Sequence, residues 1–284
     1  MQPPPKNPLP EASSVGAYIR PPRAALEGEP SFSVYVKPDT FGLEVRLDAL
    51  RRVLRQQCGV FTQGLDLGGN CGYFLLSLMA DGLVKSGRVE DLDESALAMG
   101  RAFAEAMGVS QRISFSRAEI SLSKIEALQD GFDLVMSLNL IHHAGATFDV
   151  DLVRAIGWET YARRWLIGLQ RSAGTAVVGV GFKGEKPKHW TTGHRYGFDW
   201  RPMRFARLCE QSGWEVVYDA NVEDLTILGL ERANGRQRHL RGVGTAAARR
   251  ILARSGVRRQ GTDGLTDKTR KYHKYHLYVL RRVP

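Results

Sequence analysis

The segment Leu65–Phe74, which reads Leu-Asp-Leu-Gly-Gly-Asn-Cys-Gly-Tyr-Phe, joins an apolar run to a helical pattern. Gly68 and Gly72 carry no Cβ, so the backbone between them can turn sharply and come close to a ligand. The predicted helix after this turn offers free N–H groups at its N-terminus. A tight strand–helix turn in any α/β protein would look similar, and the spacing differs from the dinucleotide pattern Gly-x-Gly-x-x-Gly. The segment therefore favours an α/β fold and marks a candidate ligand-binding turn.

Short apolar runs alternate with amphipathic runs on both sides of this turn. Strands are predicted at 59–67, 88–92, 112–116, 132–138, 175–182, 214–218 and 276–282, and helices at 72–83, 94–107, 123–128, 151–169 and 201–211. This order predicts a parallel sheet with helices on both faces, and strands that are apolar throughout fit a sheet covered on both sides. A further helical pattern precedes the first strand, with Leu47, Leu50, Val53 and Leu54 opposite Arg46, Arg51, Arg52 and Arg55.

Composition limits the kind of protein this can be. The chain has 284 residues, of which 43% are hydrophobic, and this suits one large domain with additions. Three cysteines without a CxxC pair argue against a disulfide framework and a zinc site. The N-terminus lacks a secretory signal pattern, and no apolar stretch is long enough to span a bilayer. We therefore expect a cytoplasmic protein with no stable membrane span and no metal.

Charge and proline are unevenly distributed. Prolines cluster in residues 1–30, which predicts an irregular arm there. The net charge is +10, and residues 231–284 hold fifteen Lys or Arg against three acids. A basic surplus favours anionic partners. We predict a main domain formed by residues 31–218 with 275–284, and a basic insertion or subdomain at 219–274 that includes a helical pattern at 244–255.

A second motif ends the predicted strand at 88–92. Residues 88–97 read Arg-Val-Glu-Asp-Leu-Asp-Glu-Ser-Ala-Leu, and a carboxylate at this point can accept both hydroxyls of a cofactor ribose. Asp91 is the first candidate, with Glu90 and Asp93 as alternatives. Asp93 could instead cap the following helix.

Asp66-x-Gly68-x-x-x-Gly72 followed by Asp91-Leu92-Asp93 resembles the first two motifs of class I S-adenosylmethionine-dependent methyltransferases. Residues 113–119 and 132–143 resemble the third and fourth motifs, and the likeness covers about 64–218 and the last strand. The resemblance implies a Rossmann-like doubly wound sheet of seven strands with the last antiparallel, and S-adenosyl-L-methionine as the cofactor. Gly69 and Asn70 depart from many members, which leaves the shape of the turn open.

The resemblance also implies a set of binding residues. Gly68 and Gly72 would face the methionine part of the cofactor, Asp91 the ribose and Glu119 the adenine. The full candidate set for the cofactor is Asp66, Gly68, Gly69, Asn70, Gly72, Asp91, Leu92, Glu119 and Asn139.

His142 and His143 follow the fourth motif strand and are the catalytic candidates. An imidazole can take a proton from an acceptor hydroxyl at neutral pH, and Asn139 is the alternative polar group. The sequence leaves open which histidine acts. The Leu-Ile-His-His form resembles methyltransferases of small molecules or glycans more than the Asn-Pro-Pro-Tyr type that acts on amino groups of bases. It favours O-methylation of a small-molecule or glycan acceptor, phosphorylated acceptors included.

The basic and aromatic segment at 182–196 follows the fifth predicted strand. It could hold an anionic or sugar-like acceptor, with Lys183, His189, His194 and Arg195 as candidates. A solvated basic loop is an equally good interpretation. His273 and His276 have a His-x-x-His spacing, but on a strand entrance they would point apart, which argues against a metal.

Two other functions fit parts of the pattern. The basic C-terminal region is compatible with an RNA methyltransferase, through phosphate contacts. A non-catalytic Rossmann-like binding protein would keep the fold without the activity. A nicotinamide dehydrogenase fits less well because the glycine spacing is wrong. The oligomeric state is open.

Overall fold

Residues 19–37, 42–129, 131–181, 202–221 and 275–283, which the computed structural model describes, contain one seven-stranded sheet with helices on both faces. The strands are β1 (Phe61–Leu67), β2 (Val84–Asp91), β3 (Ile113–Arg117), β4 (Phe132–Leu138), β5 (Ala173–Gly181), β6 (Trp214–Asn221) and β7 (Tyr275–Arg282). The α-helices are α1 (Arg23–Gly28), α2 (Leu43–Gln57), α3 (Tyr73–Ala80), α4 (Glu94–Ala106), α5 (Leu122–Glu126), α6 (Val150–Ile156), α7 (Trp158–Ser172) and α8 (Pro202–Gln211). Short 3₁₀ helices cover Pro30–Tyr35, Ser110–Arg112 and Ile141–His143.

The strand order is β3-β2-β1-β4-β5-β7-β6. Strands β1 to β5 run parallel, and β7 is antiparallel to both β5 and β6. The predicted seven-stranded sheet with an antiparallel last strand is therefore confirmed. The chain order reverses between β1 and β4, and the carboxyl ends of strands at such a reversal form the crevice in which open α/β sheets bind ligands.

Both faces of the sheet are buried under apolar side chains. Helices α1 to α4 cover one face, where Phe61 of β1 packs, and helices α5 to α8 cover the other, where Leu65 and Leu67 of β1 pack. Burial on both faces explains why the strands read as continuous apolar runs rather than as alternating ones.

The single helix predicted at 151–169 is two helices, α6 and α7. The chain breaks between them at Gly157, whose φ of 79° is open to glycine but disfavoured for other residues. The apolar positions continue with a helical period through the break, so periodicity alone gave no sign of it.

The N-terminal part of the chain differs from the irregular arm predicted for residues 1–30. Ile19 is 2% exposed, and residues 23–28 form α1 with Ala25 fully buried. A Cβ at Gly28 would clash with the carbonyl oxygen of Ala106, so α1 packs directly against the end of α4. Proline density signalled irregularity, but the apolar residues between the prolines join the core. Residues 1–18 lie outside the described part.

Strand β6 extends to Asn221, three residues beyond the predicted end at 218. Asp219, which fell in the predicted insertion at 219–274, is part of this strand, and its carboxylate pairs with the ring of His276 on β7. The remainder of the insertion, including the predicted helix at 244–255, lies outside the described residues. No helix in the described residues is long and apolar enough to cross a membrane.

Candidate cofactor and acceptor site

A cleft of about 200 Å³ lies at the carboxyl ends of β1, β2 and β4, at the point where the strand order reverses. Its walls come from the turn after β1, the ends of β2 and β4, the first residue of α2 and the start of α3. The lining residues are Leu43, Asp66, Gly68, Gly69, Asn70, Tyr73, Phe74, Asp91, Leu138, Asn139, Leu140 and His143.

The turn after β1 is held by backbone hydrogen bonds to β2. The N–H groups of Gly68 and Gly69 donate to the carbonyl oxygen of Glu90 at 2.7 and 3.3 Å. Asn70 adopts a left-handed conformation with φ of 54°, and its N–H donates to Oδ2 of Asp91 at 2.8 Å. These contacts give the turn its shape at Gly69 and Asn70, the two positions where the resemblance left it open.

Gly69 is required by close packing. A Cβ at this position would lie 2.6 Å from Cγ of Asp66 and 2.9 Å from Cγ1 of Val89, closer than real contacts allow. A side chain here would displace the Asp66 carboxylate from its position in the cleft wall.

We expect Gly69→Ala to weaken the binding of S-adenosyl-L-homocysteine about tenfold, since overpacking of this kind costs about 1–3 kcal/mol. Calorimetry of the purified variant measures the change. Gly174→Ala is the matched control, because no atom lies within 4 Å of its Cβ position and it lies far along the sheet at the start of β5. Equal affinity of Gly69→Ala and wild type would contradict the packing argument.

Among the three candidate ribose acids, only Asp91 lines the cleft. Besides the Asn70 contact, its Oδ1 accepts the N–H of Asp93 at 2.9 Å. The carboxylate of Glu90 is buried and paired with Lys124 at 2.9 Å and Arg88 at 3.1 Å. Asp93 caps α4 by accepting the N–H groups of Ser95 and Ala96. Both alternatives therefore have structural partners away from the cleft.

Asp66 is a buried carboxyl group that faces the cleft. It is 1% exposed, and neither of its side-chain oxygens has a hydrogen-bond partner among the described residues. Burial, with a smaller contribution from the nearby Asp91, raises the pKa of Asp66 to about 8. A buried polar group without a partner is costly. This carboxyl group is therefore suited to receive a cationic ligand group.

Leu92 and Glu119, the candidates for the adenine end, do not line this cleft. Leu92 is 56% exposed directly after β2, and Glu119 is exposed after β3. The two segments are joined by the N–H of Ala118, which donates to the carbonyl oxygen of Asp91 at 2.9 Å. Both side chains therefore lie beyond Asp91 along the same edge of the sheet.

The structure separates the two candidate histidines. His142 is 2% exposed, and its Nδ1 accepts the N–H of Gly181 at the end of β5 at 3.2 Å. This bond requires an unprotonated Nδ1, so His142 stabilises the end of a strand. His143 is partly exposed and lines the cleft. The ring centroids of His142 and His143 are 4.2 Å apart, so the two rings also pack against each other.

Their surroundings favour the neutral form of both histidines. Burial lowers the pKa of His142 well below 6.5, and the neighbouring His143 and Arg46 lower it further. Burial also lowers the pKa of His143 below 6.5. A neutral imidazole at pH 7 can accept a proton, which is the state that a general base needs.

We expect each ring to be less than half protonated at pH 6.5, where an ordinary histidine is half protonated. Nitrogen-edited NMR of the protein measures this directly, with His142→Asn and His143→Asn for assignment. Wild-type His143 titrating at or above pH 6.5 would contradict the argument from burial.

Arg46 belongs to the site, although the sequence analysis placed it on the polar face of its helix. It is 1% exposed, its NH1 donates to Oδ1 of Asn139 at 3.3 Å, and its guanidinium lies 5.8 Å from the ring centroid of Phe74. The sequence does contain a signal for the burial of Arg46. Helix α2 begins at Leu43, and the spacing 43-46-50 places Arg46 on the apolar face of the helix. The predicted pattern began only at Leu47 and missed it.

Several predicted features lie outside the described residues. These are the acceptor candidates Lys183, His189, His194 and Arg195 and most of the basic C-terminal region. Within the described part of the chain, no group of three His, Cys, Asp or Glu side chains is placed to hold a metal ion.

Comparison with solved structures identifies the fold. A S-adenosylmethionine-dependent methyltransferase from Thiobacillus denitrificans in complex with S-adenosyl-L-homocysteine has a TM-score of 0.52 and 16% identity, covering 92% of this chain and 99% of that chain. A second such enzyme, from Geobacter sulfurreducens in the same complex, has a TM-score of 0.52 and 18% identity, covering 92% and 98%. The chain has the class I methyltransferase fold.

A third solved structure, a complex of WbdD with a kinase inhibitor, is 22% identical with a TM-score of 0.49. The match covers 70% of this chain and 41% of WbdD, so this chain spans less than half of that protein. No family model and no curated protein sequence matches the chain.

Proposed function

We propose that the protein is a S-adenosyl-L-methionine-dependent methyltransferase that methylates a hydroxyl oxygen of a small-molecule or glycan acceptor, phosphorylated acceptors included. The observation that carries this proposal is the cleft itself. It brings residues 68–70 of the turn, Asp91 and His143 together at the reversal of strand order, whereas Gly72 does not line it.

The cleft fits the cofactor on grounds of charge and shape. Asp66 is a buried carboxyl group without a partner among the described residues, and it suits the ammonium group of the methionine part. Asp91 keeps free acceptor capacity beyond its two backbone bonds, because a carboxylate has about four lone-pair sites. It would accept the ribose hydroxyls, while Leu92 and Glu119 would lie beside the adenine. When bound, the cofactor supplies a methyl group carried on a sulfonium.

The protein's part in the transfer is to align the acceptor and to remove its proton. His143 lines the cleft as a neutral imidazole and would accept the hydroxyl proton as the new O–CH₃ bond forms. His142 would act as a positioning residue through its ring contact with His143 and its bond to Gly181.

Binding of the wild-type protein to S-adenosyl-L-methionine and S-adenosyl-L-homocysteine, with NAD as the control, tests the cofactor by calorimetry. We expect micromolar affinity, about −8 kcal/mol, for both adenosyl ligands and none for NAD. Absence of binding by both ligands would contradict the proposal and favour a non-catalytic protein.

Transfer of a labelled methyl group to pools of glycans, phenols and RNA, the last at two salt concentrations, then tests the acceptor. We expect label in a hydroxyl compound of the first two pools. Label confined to RNA, and lost at the higher salt, would instead identify an RNA methyltransferase.

A further inference from the structure

Asn139 lines the cleft and is hydrogen-bonded to the buried Arg46, and the argument about His143 does not use this polar pair. Asn139 lies directly after β4, lines the cleft, and is three residues before His142 and four before His143. Its backbone has φ of 59° and its N–H donates to the carbonyl oxygen of Gly179 at 3.0 Å. The backbone of Asn139 is therefore fixed, and the remaining question is which end of its amide faces a ligand.

Arg46 decides that orientation. A guanidinium has five N–H donors and no acceptor, so the amide atom beside it must be the oxygen. The observed contact, from NH1 of Arg46 to Oδ1 of Asn139 at 3.3 Å, agrees with this requirement. Arg46 is 1% exposed and does not line the cleft, so it reaches a ligand only through Asn139.

The other end of the amide is a donor. Because Oδ1 takes the place beside the guanidinium, the nitrogen bonded to the same carbon cannot occupy that place. No hydrogen bond from this nitrogen to another described residue is observed, whereas Oδ1 accepts the bond from Arg46. The amide can therefore offer a hydrogen-bond donor to the cleft that His143 also lines.

We propose that Arg46 and Asn139 form a specificity pair that selects an acceptor through an oxygen atom and discriminates against an amine. This inference rests on the proposed methyl transfer. An acceptor oxygen can take the N–H of Asn139 with a lone pair while its own proton goes to His143. An amine that needs to donate both of its N–H groups meets a second donor at Asn139, and a buried donor left unpaired is costly.

Two uncharged probes test whether the cleft prefers a ligand that accepts a hydrogen bond from Asn139 or one that donates a hydrogen bond. Because neither probe is charged, a difference in affinity does not come from net charge. Para-fluoroacetophenone has a carbonyl oxygen that only accepts, and para-fluoroaniline has an amino group that mainly donates. Fluorine NMR measures the binding of each to the protein saturated with S-adenosyl-L-homocysteine. We expect the wild type to prefer the acetophenone about tenfold, which corresponds to about 1.4 kcal/mol.

Asn139→Asp and Arg46→Met are the informative variants. Aspartate tolerates the left-handed backbone and replaces the donor by an oxygen, so the preference should reverse. Methionine removes the contact that fixes the amide, so the preference should fall towards equality, whereas Arg46→Lys should retain it. The melting temperature serves as the folding control.

A wild-type preference for the aniline, equal binding of the two probes, or binding of neither overturns the specificity pair. Retention of the acetophenone preference in a folded Asn139→Asp variant overturns it as well. Failure of the proposed function has a different signature, namely loss of S-adenosyl-L-homocysteine binding by the wild type. The probes can also be titrated without that ligand, so the two outcomes are distinguishable.

Discussion

Asp91→Ala is expected to weaken the binding of S-adenosyl-L-homocysteine about a hundredfold, or about 2.8 kcal/mol. The carboxylate at this position would accept hydrogen bonds from the ribose, and bonds to a charged acceptor contribute about 1.5–3 kcal/mol each. Asp91 also accepts the N–H groups of Asn70 and Asp93, so its loss releases the turn that forms the cleft wall. Calorimetry gives the affinity, and a thermal melt separates lost binding from lost folding.

Asp93→Ala is the matched control for this prediction. It removes an acid two positions away that caps α4 through Ser95 and Ala96. Loss of such a cap costs about 0.5–2 kcal/mol of stability. The melting temperature should therefore fall while the affinity stays close to wild type. If Asp93→Ala lost as much affinity as Asp91→Ala, the assignment of the ribose acid would be wrong.

The pH dependence of cofactor binding is expected to follow Asp66. Its pKa is raised to about 8 by burial and by the nearby Asp91, so below that pH the carboxyl group is mostly neutral. Binding of a ligand ammonium favours the ionised form, and the proton must leave. Affinity for S-adenosyl-L-homocysteine should therefore rise by up to about tenfold for each pH unit between about pH 6 and pH 8. Above about pH 8 the carboxyl group of Asp66 is already ionised in the free protein, so the gain in affinity should level off.

Asp66→Asn tests this dependence. The variant keeps the shape of the side chain but cannot ionise, so its binding should be weaker and nearly independent of pH below about pH 8. Calorimetry in two buffers of different ionisation enthalpy measures the proton released by the wild type, which the variant should not release. A wild-type affinity that does not change over this range would refute the role of Asp66.

The same substitution should stabilise the protein without ligand. The pKa of Asp66 rises from 3.8 to about 8 on folding, so between these values the folded state binds more protons than the unfolded state. The contribution of Asp66 to the free energy of unfolding of the wild type therefore falls as the pH rises from 3.8 to about 8, and it is constant above about pH 8. The melting temperature of Asp66→Asn should exceed that of the wild type by a margin that widens up to about pH 8. A margin that narrows with rising pH would contradict the burial of this carboxyl group.

Much of the fold could be predicted because the local signals and the tertiary structure agree. The strand predicted at 132–138 has the bounds of β4, and the antiparallel last strand is present as β7. Errors arose where packing overrode a local signal. A proline-rich segment still packs Ala25 into the core, and a continuous helical period does not show the left-handed backbone at Gly157.

The sequence also indicated the cofactor end of the site, since a glycine turn and a strand-end acid are local patterns. It could not rank Asp91 against Glu90 and Asp93, because all three are acids within four residues. The structure ranks them by their partners, since Glu90 pairs with Lys124 and Asp93 caps α4, while Asp91 lines the cleft.

The order of the elements, the turn after β1 and the two histidines after β4 could be read from the amino-acid sequence, because each depends on residues that are neighbours in the chain. Which histidine faces the cleft, and the contact between Arg46 and Asn139, follow from the folded chain. His142 turns away because it meets Gly181, 39 residues along the chain, and Arg46 reaches Asn139 across 93 residues. Contacts between such distant residues exist only after the sheet has brought the strand ends together.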